Sequence, residues 1–103
     1  METQIWKYPL RDTWYQELLM PRNANIIHVG EQRNTICLWA EVDIEYEDLE
    51  KRAFYLVGTG NMWPPVLVNH IGTVIKKEGR FVWHVYEEVT GRMTQKKLEE
   101  TYL

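Results

Sequence analysis

Apolar and β-branched residues along the chain fall into short runs broken by turn formers, and within several runs the apolar positions alternate with polar ones. A period of two rather than three to four predicts strands. The runs place strands at about Gln4–Leu10, Asn25–Glu31, Thr35–Val42, Arg52–Gly58, His70–Lys76 and Phe81–Glu88, with a weaker signal over Trp14–Met20. In "TICLWAEV" the alternation sends Ile36, Leu38, Ala40 and Val42 to one face, the expected core, and Cys37, Trp39 and Glu41 to the other. In "FVWHVYEE" both faces carry large side chains: Phe81, Trp83 and Val85 on one, Val82, His84 and Tyr86 on the other. A strand apolar on both sides is covered on both sides, by its own chain or by another subunit.

The breaks say how the strands connect. Gln32-Arg33-Asn34 is short and carries an Asn that tolerates positive φ, so the flanking strands form a hairpin. "KKEGRF" gives the same signal before the last strand, with Gly79 free to take a left-handed conformation. A two-residue turn there sets His84 opposite Thr73 and puts His70 and His84 on opposite faces. A three-residue turn with a bulge puts them on one face. Consecutive hairpins mean an antiparallel sheet, and the expected fold is all-β: a small barrel or sandwich of six to seven strands over residues 1–89. Residues 90–103, "TGRMTQKKLEETYL", are polar and rich in helix formers, which predicts a short C-terminal helix or a tail.

Composition narrows the functional classes. A chain of 103 residues fits one domain, and 13% aromatic is more than a small core hides easily, so some rings are expected at a pocket or interface. Formal net charge is −3, with Lys and Arg scattered, which argues against binding duplex nucleic acid through phosphates. The single Cys37 cannot form an intramolecular disulfide and reads as a small buried hydrophobe in a reducing cytosol. The start lacks a signal-peptide pattern and no apolar stretch has the length of a membrane span, so a cytoplasmic protein is expected.

Catalytic and metal chemistry find little footing. The chain contains no Ser, and three His with one Cys show no paired metal-ligand spacing. "VGTGN" is neither a phosphate loop nor a dinucleotide fingerprint. The expectation is therefore no enzyme, no cofactor and no metal. The segment "FYLVGTGNMWPP" is the best candidate for a binding site: Gly58 and Gly60 let the backbone turn and bare its N–H groups to an anion, and Met62 and Trp63 offer flat apolar surface. Alternatively it is a strand exit whose Trp63 plugs one end of the fold. The segment "DIEYEDLEK", residues 43–51, holds five acids and reads as a solvated loop.

The words "IWKYPL", "MPRNANIIHVGEQRNTICLWAEVD", "FYLVGTGN", "HIGTV" and "FVWHVYEE" together resemble a family of small uncharacterised proteins of bacteriophages and prophages. The matching positions run from Ile5, Trp6, Lys7 and Tyr8 through Val57–Gly60 to Val82, Trp83, His84 and Val85, and Asn61 stands where relatives often carry a histidine. The resemblance implies an accessory protein of the host cytoplasm, of a kind that often counters host defence.

Two functions follow as expectations. In the first, a homo-oligomer sequesters a small anionic, nucleotide-like ligand without catalysis, held by Arg52, Gly58, Thr59, Gly60, Asn61, Trp63, Trp83 and His84. In the second, exposed aromatics and the acidic stretch Glu45–Glu50 contact and inhibit a host defence protein.

Overall fold

The computed structural model describes residues 2–45, 48–76 and 79–89. They form seven strands: β1 (Thr3–Pro9), β2 (Tyr15–Pro21), β3 (Asn25–Gln32), β4 (Thr35–Asp43), β5 (Leu49–Gly58), β6 (Val68–Lys76) and β7 (Phe81–Glu88). All pairings are antiparallel, in a three-stranded sheet ordered β1-β4-β3 and a four-stranded sheet ordered β2-β5-β7-β6. The two sheets pair no strands with each other, so of the two expected architectures the fold is the sandwich and not the closed barrel. The expected C-terminal helix falls on residues 90–103, outside the described residues.

The alternation sets the core. Ile36, Leu38, Ala40 and Val42 line the inner face of the three-stranded sheet, and Phe54, Leu56, Val74 and Val85 line that of the four-stranded one. Gly72 on β6 faces β3 so closely that a Cβ added to it would lie 2.8 Å from the Val29 Cβ. Glycine is what lets the two sheets close along that edge. The β3–β4 hairpin turns on Arg33 and Asn34, both with positive φ (51° and 65°), as a two-residue turn matching strand twist requires.

Most polar groups inside the sandwich are paired. Arg52, 9% exposed, donates from Nε and Nη2 to both carboxylate oxygens of Glu87 (2.6 and 2.9 Å) and from Nη1 to the Ala24 carbonyl. Gln16 clamps the β1–β2 corner, accepting from the Arg11 N–H at 2.9 Å and donating to the Arg11 carbonyl at 2.8 Å. Lys76 reaches Asp12 at 3.4 Å. The Tyr8 hydroxyl is buried with no hydrogen-bond partner among the described residues.

Candidate functional site

The four-stranded sheet carries its distinctive chemistry on the outer face. Register aligns Tyr15 with Tyr55, Tyr55 with Tyr86, and Tyr86 with His70, so three tyrosines and a histidine form one row across all four strands. The row is tied together by ring contacts. Tyr55 sits edge-on to Trp14 (centroids 5.0 Å apart) and to Tyr15 (5.1 Å), and Tyr86 sits edge-on to His70 (5.1 Å) and to Trp63 (4.9 Å). Tyr55 is left 6% exposed by its neighbours, whereas Trp63 is 60% exposed. Such rings offer large rigid contact area at low entropic cost.

The rows on either side differ in charge. Two residues beyond the tyrosines on the same face come Glu17, Ala53 and Glu88; two residues the other way come Val57, His84 and Thr73. Tyr15 donates its phenol hydrogen to Glu17 at 2.9 Å. That bond, with some burial and the nearby Glu17 and Glu88 carboxylates, pushes the Tyr15 pKa up to about 12. Burial, helped by Glu88, raises the Tyr55 phenol as well. Lys51 approaches Glu17 at 3.9 Å, while Glu88, half-buried, has no hydrogen bond or ion pair among the described residues.

On the histidine side the polar groups form a chain. Thr59 Oγ1 is 2.9 Å from His84 Nε2, His84 Nδ1 is 3.1 Å from Thr73 Oγ1, and Thr73 Oγ1 is 3.0 Å from His70 Nε2. The two imidazoles thus share a face, though not for the reason the turn suggested. His84 does pair with Thr73, and the slip comes from a bulge at Ile71, inside β6, which brings His70 opposite Tyr86.

The residues singled out from the sequence divide between the two sides of this sheet. Trp63, Thr59 and His84 are outer-face residues, with Gly60 exposed beside them at φ 90°. Trp83 is not: one position along β7 it points inward, opposite Gly58 and Val74, and packs on the core. Asn61 folds its amide back over Gly58, where an added Cβ would meet it at 2.8 Å. Arg52, expected to face a ligand, is spent on Glu87 and Ala24. Two of the loop N–H groups are spent as well: Thr59 N–H donates to the Val82 carbonyl (3.3 Å) and Asn61 N–H to the Gly58 carbonyl (2.9 Å). The glycine loop is a tight turn, and the single concavity expected to unite Trp63 with Trp83 and Arg52 is interrupted by the sheet itself.

The family model described as Domain of unknown function (DUF7352) matches residues 1–96. The chain belongs to that family. No curated protein and no solved structure matches it. The match spans both sheets and so all of the outer-face rows, but the family carries no activity to transfer.

Tyr15, Tyr55, Tyr86, Trp14, Glu17 and Glu88 were not among the residues expected to form a site. Their signal was present as alternation, since Tyr55 follows Phe54 as Tyr86 follows Val85. Only register aligns them. Of the acidic stretch, Asp48 pairs with Arg22 at 3.5 Å and Glu50 accepts from the Asn23 N–H at 3.3 Å; Glu47 lies outside the described residues. No group of three or more metal-ligating side chains occurs among the described residues, and no helix long and apolar enough to cross a membrane occurs among them.

Proposed function

We propose that this protein is a phage-type accessory binding module that docks onto a host protein through the outer face of its four-stranded sheet. The observation that carries the reading is the Tyr15–Tyr55–Tyr86–His70 row, flanked by the exposed rings of Trp14 and Trp63. Aromatic side chains held rigid by one another, with Trp14, Tyr15 and Trp63 reaching solvent around the buried Tyr55, are the composition of interface hot spots. The phage and host assignment rests on the motif resemblance alone. The test is capture from bacterial lysate by four proteins: the wild type, Tyr15→Glu, Trp63→Glu, and a control, Ile5→Glu, altered on the other sheet. A partner retained by the wild type and Ile5→Glu but lost by both outer-face variants supports the reading. Identical capture by all four overturns it.

The small-ligand reading keeps one observation in its favour, the His70–Thr73–His84–Thr59 chain beside the exposed Trp63 ring. With Arg52 and two loop amides engaged internally, that site offers an anion imidazole and hydroxyl groups but no guanidinium. Calorimetric titration with mononucleotides and cyclic dinucleotides decides it: saturable heat lost in His84→Ala favours this reading, and heat at the buffer level removes it.

A further inference from the structure

We infer that the protein pairs with a second copy of itself through the free edge of β1, antiparallel and about a two-fold axis at Ile5, so that two three-stranded sheets become one sheet of six strands. It concerns the other sheet, so it stands or falls separately from the docking reading.

The direction of the backbone groups along β1 is the first ground. Leu10 N–H donates to the Ile36 carbonyl at 2.8 Å and Ile44 N–H to the Glu2 carbonyl at 3.0 Å. Both bonds continue the ladder that pairs Thr3 with Asp43 and Pro9 with Cys37, and an antiparallel strand bonds one neighbour through every second residue. Gln4, Trp6 and Tyr8 therefore spend their backbone groups on β4, and Thr3, Ile5 and Lys7 aim theirs at the open side of the strand. Every residue of β1 except Tyr8 is exposed, Ile5 by 60%. A regular, exposed edge with outward N–H and C=O groups is a template for a further strand.

The other edges are guarded. β3 and β6 each carry a bulge, at Ile27 and Ile71, and they close on each other where Gly72 meets Val29. At the β2 edge, Leu56 N–H donates to the Trp14 carbonyl, so the same counting turns Tyr15, Glu17 and Leu19 outward. There the Tyr15 carbonyl already accepts from Thr13 Oγ1 at 3.2 Å, and a two-fold axis would set Glu17 against its own copy.

The residues of β1 select a second copy as the strand that fits and Ile5 as the axis. A two-fold at Ile5 sets Thr3 opposite Lys7 of the second copy and Ile5 opposite Ile5. Each outward N–H then meets a carbonyl, the exposed isoleucines cover each other, and no like charges oppose. Moving the axis to Trp6 sets Ile5 against a lysine and draws Pro9, which has no N–H, into the ladder. Moving it to Lys7 sets two lysines face to face.

The test is sedimentation equilibrium of the full chain from about 10 µM to about 1 mM, a range suited to the small interface of one strand pair. Wild type should dimerise, and Ile5→Glu, which sets two carboxylates face to face, should weaken the dimer at least roughly tenfold while circular dichroism shows an intact fold. Ile5→Lys should do the same, and an equimolar mixture of the two variants should restore the dimer. Oxidative cross-linking reads the register: Ile5→Cys should join to itself, Thr3→Cys and Lys7→Cys should join only when mixed, and wild type, whose Cys37 is 2% exposed, should stay unlinked. A monomer throughout the range overturns the inference. So does a dimer that Ile5→Glu leaves intact or strengthens, or one that Tyr15→Glu dissociates and Ile5→Glu does not. An Ile5→Cys protein no more prone to cross-link than Thr3→Cys alone overturns it too.

Discussion

At the scale of single residues, the inner and outer faces of one sheet impose opposite demands on charge. Arg52 and Glu87 satisfy each other inside the sandwich with two charge-assisted bonds, and a third donor of Arg52 ends on the Ala24 carbonyl. Removing one partner strands the other in low dielectric, so Glu87→Ala should destabilise the fold by about 3–5 kcal/mol in denaturant unfolding. Tyr8 is the contrasting case. Its buried hydroxyl finds no partner among the described residues, so Tyr8→Phe should leave stability within about 1 kcal/mol of wild type. On the outer face the tyrosines report the field of the glutamates. Tyr15 and Tyr55 hold their protons beyond the range where unfolded tyrosines ionise, near pH 10. A folded pKa raised in this way contributes stability that is complete below pH 10 and falls as the pH rises toward 12. Absorbance titration at 295 nm should show this delayed ionisation, and Glu17→Gln should bring the Tyr15 step to lower pH.

At the scale of elements, two small features decide what the strands present. The β3–β4 turn needs positive φ at Arg33 and Asn34, which a β-branched side chain resists, so Asn34→Val should cost about 1–2 kcal/mol by thermal or denaturant unfolding. Gly72 governs how the sheets meet: the methyl of Gly72→Ala would press on Val29 backed by the packed core, with an expected loss of about 1–3 kcal/mol. A pairing of Gly72→Ala with Val29→Ala should recover part of it. The bulge at Ile71 shows the limit of reading pairs from a turn. Hairpin arithmetic gives the register near the turn correctly, Thr73 opposite His84, but one extra residue farther along β6 returns His70 to the outer face. Alternation within a strand is local and legible, whereas a bulge depends on which partner residues the core leaves room for, and no sequence pattern around Ile71 announces it.

At the scale of the whole molecule, two sheets of unequal width leave the outer face of the wider one with an aromatic row, an acidic flank and a histidine flank. If that face docks a partner, binding should be lost well beyond what stability loses: Tyr15→Glu gives up the Glu17 bond and the Tyr55 contact and sets a third carboxylate beside Glu17 and Glu88, so it should lower stability by about 1–2 kcal/mol, stay folded and lose capture. A folded variant by circular dichroism with lost capture would separate recognition from folding. The strands, the core face of β4, the β3–β4 hairpin and the all-β class were legible because each follows from side-chain period and turn chemistry over a few consecutive residues. The site was legible only in part. Trp63, Thr59 and His84 came from the right segments, but Arg52 and Trp83 were assigned to a surface they do not reach. A residue's alternation fixes which neighbours share its face and leaves open whether that face turns toward the other sheet or away from it. That choice belongs to the tertiary fold: Arg52 points inward because Glu87 and the Ala24 carbonyl await it there, and tyrosines from three separate strands form one row because long-range register, set by the packing of the two sheets, brings them level.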